Sequence, residues 1–297
     1  MTNLFFHYPD MKRIRDQPSA QAPRITPIEQ ANVADAACAL DALENVTGIL
    51  TLVNALRNED ANVRKAAASS LRRYKRPESG AILLAHTNHP EASVRALVLR
   101  ALLELQVVES FELALAALDD SDGEVRREAV TVLGHLGRRA ALGALIKLTA
   151  HDPEPEVRRA AIDALSFATD AEALPALLAS LRDKSCRVRE EAAIMLGKLR
   201  LQEAADDLIA RLQDSSWQVA LYACRSLGIL RSALATPALT HMLGHQISNL
   251  RKEAAWALGE IRSSSALPAL AAIQDDVDPD VRKAVRLAIR QIRNALA

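Results

Sequence analysis

Seven histidines and three cysteines are the residues in this sequence best suited to chemistry. His86 and His89 are spaced i, i+3, and His241 and His245 are spaced i, i+4. Either spacing puts two imidazoles on one face of a helix, half of what a tetrahedral metal site requires. Neither pair has a carboxylate or cysteine at a supporting spacing, and the pairs stand too far apart in the chain to share an ion. Cys38, Cys186 and Cys224 form an odd, scattered set that suits three thiols in a reducing cytoplasm rather than a disulfide framework. There is no Gly-x-Ser-x-Gly, no Gly-rich phosphate loop and no Cys-x-x-Cys. The expectation is a chain without catalytic residues, metal or cofactor.

Arginine does recur with a pattern. Val-Arg pairs stand at Val63-Arg64, Val94-Arg95, Val125-Arg126, Val157-Arg158, Val188-Arg189 and Val281-Arg282, with Val219-Ala220 and Leu250-Arg251 as altered copies. Neighbouring copies are 31 or, once, 32 residues apart. Four residues after each Val or Leu comes a small or branched aliphatic, such as Ala129 or Ala192. Eight after it comes Leu or Ile, such as Leu133, Leu196 or Ile289. Offsets of 0, 4 and 8 share one helical face, so each copy carries an amphipathic helix, for example Glu156 to Phe167. A first helix precedes it, with Pro175, Pro237 and Pro268 expected in the first turn, where a missing N–H costs nothing. Five residues before the Val, the turn carries Asn58, His89, Asp120, Asp152, Asp183, Asp214, His245 or Asp276. An Asp there can accept from free N–H groups at the start of the second helix. Because acid recurs with the same period as arginine, the arginine column reads as an Arg–Asp ladder between neighbouring turns, with Asp152, Asp183 and Asp276 among the partners. A phosphate-binding stripe is the competing reading. Gly134, Gly197, Gly228 and Gly259 recur near the end of the second helix, where a side chain would block the next copy.

The period predicts an all-α fold: an α-solenoid of eight helical hairpins over 43–297, with a cap helix over 27–42. Residues 1–26 hold Pro9, Pro18 and Pro23 and read as an extended or disordered arm. Phe5, Phe6 and Tyr8 in that arm are a candidate linear motif for a partner, or pack on the first hairpin. The chain is 49% hydrophobic but 3% aromatic, which suits closely stacked helices built from Ala, Leu, Val and Ile. Lys+Arg and Asp+Glu both number 37, a neutral balance that argues against a dedicated nucleic-acid binder. No apolar run is long enough to span a bilayer and no signal peptide is seen, so the expected location is the cytoplasm, of bacterial type.

The pattern Asp-x-x-x-x-Val-Arg-x-x-Ala-x-x-x-Leu-Gly, as from Asp183 to Gly197, resembles the HEAT-like repeat of the phycobilisome-lyase type over residues 43–297. The resemblance implies a solenoid whose second helices line a concave face where partners bind. It also implies a range of roles, among them interaction adaptors, assembly factors and bilin lyase subunits. Deoxyhypusine hydroxylase is a similar array that holds iron with His-Glu dipeptides. None of the seven histidines here is followed by Glu, so that activity is not expected.

Function in a repeat array should lie where a copy departs from its siblings. Trp217 stands where siblings have Ala92, Gly123 or Cys186. Tyr222 replaces a column of Ala or Glu, and Trp256 stands where siblings have Thr131 or Asp163. With Arg225 these residues form the candidate partner-binding patch, since Trp, Tyr and Arg are preferred interface anchors. Leu99, Arg100 and Leu103 form a lesser departure. Cys224 aligns with Ala193 and Ala255 and reads as a packing residue. The functional expectation is a non-enzymatic scaffold or adaptor for a protein partner on the concave face. The alternative is an assembly or maturation factor related to bilin lyase subunits.

Overall fold

A computed structural model describes residues 87–296, apart from the side chains of 170 and 171, together with scattered positions from 51 to 85. The arm with Phe5, Phe6 and Tyr8, the cap helix, Cys38, Arg64 and His86 lie outside the described residues. Within them the chain is helical without strands, as the period predicts. Thirteen α-helices alternate in role. The second helices of the hairpins are α1 (Ala92–Glu104), α3 (Gly123–Leu136), α5 (Pro155–Ala164), α7 (Cys186–Lys198), α9 (Trp217–Leu230), α11 (Ser248–Ile261) and α13 (Pro279–Leu296). The first helices are α2 (Ser110–Ala116), α4 (Leu142–His151), α6 (Asp170–Ser180), α8 (Ala205–Arg211), α10 (Thr236–Met242) and α12 (Leu267–Ala272).

The first helices are short because most begin with a separate 3-10 turn, as at Gln202–Ala204, Ala233–Ala235 and Ser264–Ala266. Pro237 and Pro268 then fall in the first α turn, as expected. Pro175 does not. The chain enters α6 directly through a capping box, in which Thr169 and Glu172 satisfy the helix start, and Pro175 ends up inside the helix. At α3 the helix start is held by Asp122, whose carboxylate accepts from the N–H groups of Glu124 and Val125. The recurring turn Asp residues act one step earlier than expected. Asp120, Asp152, Asp183, Asp214 and Asp276 each accept from the N–H two residues on, still within the turn, at 2.8–2.9 Å.

Each second helix packs on the next, so α1, α3, α5, α7, α9, α11 and α13 form one layer, with the first helices against one side of it. The buried stripe repeats as read from the sequence: Val125, Ala129 and Leu133 in α3, Val188, Ala192 and Leu196 in α7, and Val281, Val285 and Ile289 in α13. Glycine sets the spacing. A Cβ at Gly134 would lie 2.8 Å from the Ala164 Cβ, and one at Gly228 would lie 2.7 Å from Trp256 Cζ3 and 2.9 Å from the Ala257 Cα. These approaches leave no room for a methyl group.

Candidate partner-binding face

The arginine column is a ladder. Arg95 grips Asp120, Arg126 grips Asp152, Arg158 grips Asp183, Arg189 grips Asp214 and Arg251 grips Asp276. Each pair is bidentate, through Nε and Nη2, at 2.7–3.0 Å. The third guanidinium nitrogen, Nη1, donates to the carbonyl six residues back in the arginine's own turn. One side chain thereby ties its own turn to the next repeat. Arg158 and Asp152 are buried, and this geometry is what lets such charges leave water. The hydrogen bonds from Arg95 and Arg251 hold Asp120 and Asp276 below the usual carboxylate range. Burial pushes Asp183 and Asp214 upward, but Arg158 and Arg189 with the turn N–H groups outweigh it, so both also lie low. These arginines are engaged within the fold and offer no open stripe to phosphates.

Among the described rungs the ladder lapses between α9 and α11, where both partners change together. Ala220 stands in the arginine column, buried against the core, and His245 stands in the acid column. His245 keeps the local half of the role, since its Nδ1 accepts from the Ile247 N–H at 3.0 Å. His89 does the same for Glu91 at 3.1 Å. The histidines at these two positions are turn acceptors that replace Asp. His241 is exposed, and no group of three or more metal-type side chains occurs among the described residues.

A second set of charges ties the layer of second helices on its solvent side. Arg225 of α9 donates from Nε to Glu253 Oε1 of α11 at 2.6 Å and from Nη2 to Oε2 at 3.1 Å. Arg100 of α1 pairs with Glu128 of α3 in the same register. The departure at Leu99, Arg100 and Leu103 is therefore a packing feature: Leu99 is buried, Leu103 lies against the core, and Arg100 serves Glu128. Between these two pairs the register carries Asp163 opposite Glu191. Burial first, then the Asp163 charge, pushes the Glu191 carboxyl above its ordinary value, although Arg159 and Lys198 lie near.

Three of the four candidate anchors share a neighbourhood. Tyr222 and Arg225 lie one turn apart on α9, and the Tyr222 phenol acts on the Arg225 charge. Trp256 on α11 is half-buried against the α9 backbone at Gly228, one turn beyond Glu253, the partner of Arg225. The Arg225 side chain is still 49% exposed despite its ion pair. Trp217 is the first residue of α9 and is 40% exposed. Five residues separate it from Tyr222, which on a helix is about 140° of rotation, so the two rings leave α9 on different sides. Cys224 points inward. Burial, then the Glu253 charge, pushes its thiol up to about 12, so it is a packing side chain and not a thiolate nucleophile.

The sequence reading grouped Trp217 with the other anchors, although the five-residue spacing from Tyr222 already turns the two rings about 140° apart on a helix. It also missed the Arg225–Glu253 tie, although the recurrence of Glu three after the Val was its signal. No described helix is long and apolar enough to cross a membrane.

The HEAT repeats family matches residues 28–104, 111–197, 144–219 and 205–290. The crystal structure of YibA from E. coli is similar with a TM-score of 0.69 and 18% identity, over 90% of this chain and 99% of that one. The crystal structure of an engineered protein is similar with a TM-score of 0.54 and 22% identity, over 88% of this chain and 83% of that one. At these identities the likeness is one of fold. No curated protein matches the chain. The family match over most of the sequence and the hairpin stack with its inter-repeat ladder agree: this chain belongs to the HEAT-repeat family.

Proposed function

We propose that the protein is a non-enzymatic interaction scaffold that holds a protein partner on the concave side lined by its second helices. Trp217, Tyr222, Arg225 and Trp256 are the anchors. The observation that carries this reading is the grouping of Tyr222, Arg225 and Trp256 across α9 and α11 in a chain with 3% aromatic residues. Aromatic rings beside an arginine supply the contact area and directed hydrogen bonds that dominate protein interfaces. The helix stack and its ion-pair ties fix these side chains before binding, so little conformational freedom is lost on association. Trp217, on another side of α9, widens the footprint toward the turns.

Affinity capture from native lysate with the full chain tests the reading. Trp217→Ala with Arg225→Ala should lose partners that the parent chain retains, with helical circular dichroism unchanged. Undiminished capture would remove the patch from consideration.

The bilin-related alternative implied by the resemblance needs a thiol acceptor. Cys224 is too deeply buried to serve, so the thiol would have to be the exposed Cys186 or belong to the partner. A shift in visible absorption on mixing the purified protein with a free bilin would favour that alternative.

A further inference from the structure

The stacking face of α13 carries a second feature, separate from the Tyr222–Arg225–Trp256 neighbourhood. Each second helix turns one side toward its successor, and in α1 to α11 that side is small and apolar. The column that ends at Arg286 reads Leu99, Val130, Ile162, Ala193, Cys224 and Ala255, all buried. The column that ends at Arg290 includes Gly134, Gly197, Gly228 and Gly259, the points of closest helix approach. In α13 both positions become arginine, and both are exposed. Lys283 and Arg293 extend the same side. The spacing 283, 286, 290, 293 alternates three and four residues, so the four cations lie within one stripe of roughly 15 Å.

Solubility alone would not demand this arrangement. A helix whose stacking side faces water needs polarity, which mixed charges supply. Some exposed cations elsewhere have acids beside them, Arg139 with Glu172, Arg182 with Asp207 and Arg231 with Glu260, and the others, such as Lys184 and Arg200, are not gathered in a stripe. Among the described residues Lys283, Arg286, Arg290 and Arg293 have no carboxylate partner. Leu287, 38% exposed, flanks the stripe on its Lys283 side. Arg286, Arg290, Arg293, Ile289, Gln274 and Asn294 line a depression of about 310 Å³ beside it.

We propose that this stripe docks an acidic amphipathic helix of a partner protein, laid along α13 as each second helix lies along the next. The three-four spacing of the cations suits a helix whose acids repeat at three and four residues, and the depression floored by Ile289 suits one apolar side chain among them. A nucleic-acid backbone fits less well. Four cations fall short of the six to ten phosphate contacts behind strong salt-dependent binding, and no aromatic ring stands in the stripe for base stacking.

The test uses the full chain and two labelled helical peptides of identical composition, read by fluorescence anisotropy at 0.15 M salt. One carries Glu at the three-four spacing around a single Leu, and the other distributes the same residues around the helix. The patterned peptide should bind about tenfold tighter or more. Arg286→Glu with Arg290→Glu should abolish the preference, with circular dichroism unchanged because both side chains are exposed. Trp217→Ala with Arg225→Ala should leave it intact. No binding, equal affinity for the two peptides, or tighter binding of a 20-base-pair DNA duplex would overturn the proposal. So would self-association of the parent chain that the Arg286→Glu, Arg290→Glu variant loses, since the stripe would then belong to a second copy.

Discussion

Arg126 holds Asp152 by two hydrogen bonds, Nε to Oδ2 at 2.8 Å and Nη2 to Oδ1 at 3.0 Å, while its Nη1 reaches back 2.9 Å to the carbonyl of Asp120. Both side chains are nearly sealed from water. Removing the cation alone strands a buried carboxylate, so Arg126→Ala should cost about 3 kcal/mol in urea unfolding. Arg126→Met with Asp152→Leu should cost clearly less, because neither charge is then left unpaired. Equal losses would mean that the ladder's charge pairing is not what the single variant disrupts.

The lapsed rung can be restored. Ala220→Arg alone would bury a guanidinium without a carboxylate, and His245→Asp alone would bring an acid without its cation; each should destabilise. Together they rebuild the geometry of Arg189 and Asp214 one repeat earlier, where the bonds are 2.7 and 2.9 Å. A double-mutant cycle on unfolding free energies should return a favourable coupling of about 1–2 kcal/mol. A coupling near zero would mean that these positions no longer face each other as they do in the sibling repeats.

Acid should loosen the stack through the ladder. Asp120, Asp183, Asp214 and Asp276 all titrate lower in the folded chain than in the unfolded one. Their contribution is complete above the unfolded carboxylate range, near pH 4, and is lost as pH falls through the lower folded values. Melting temperature should therefore hold from pH 7 to 5 with respect to these groups and drop below about pH 4. Glu191 runs the other way. Its folded value is raised, so its ionised form at neutral pH is a small burden, relieved on protonation. Glu191→Gln should raise stability at pH 7 by well under about 1 kcal/mol, and the gain should vanish in acid.

Helix spacing provides a further check. Gly228→Ala places a methyl 2.7 Å from Trp256 Cζ3 and 2.9 Å from the Ala257 backbone. The ring can shift but the backbone cannot readily follow, so a loss of about 1–3 kcal/mol is expected, read by thermal unfolding. Gly143, which has nothing within 4 Å of such a methyl, should accept Ala without loss.

The hairpin stack was legible because each buried residue sits at a fixed offset from Val or Leu, and burial follows that column from Val94 to Val281. The ladder was legible for the same reason, since Arg158 and Asp183 each recur with the repeat. What the period does not carry is where each helix begins and which of its sides meets the next repeat. It placed Pro175 in a first turn because its column matches Pro237 and Pro268, but the Thr169–Glu172 cap begins that helix earlier. It grouped Trp217 with Tyr222 because both depart from their sibling columns, although the rotation between them separates the rings. It does not tell which side of α13 stacks; the glycines of the same column in the preceding repeats show that Arg286 and Arg290 occupy that side.

The central claim is that this solenoid acts by holding a protein partner on the face where Tyr222, Arg225 and Trp256 converge. The most direct measurement is quantitative capture from native lysate, comparing the parent chain with Tyr222→Ala and with Arg225→Ala paired with Glu253→Gln, so that no buried carboxylate is left unpaired, each checked for unchanged helicity. Specific partners enriched by the parent chain should fall at least about tenfold with either variant. The same proteins recovered in equal yield by parent and variants would contradict it.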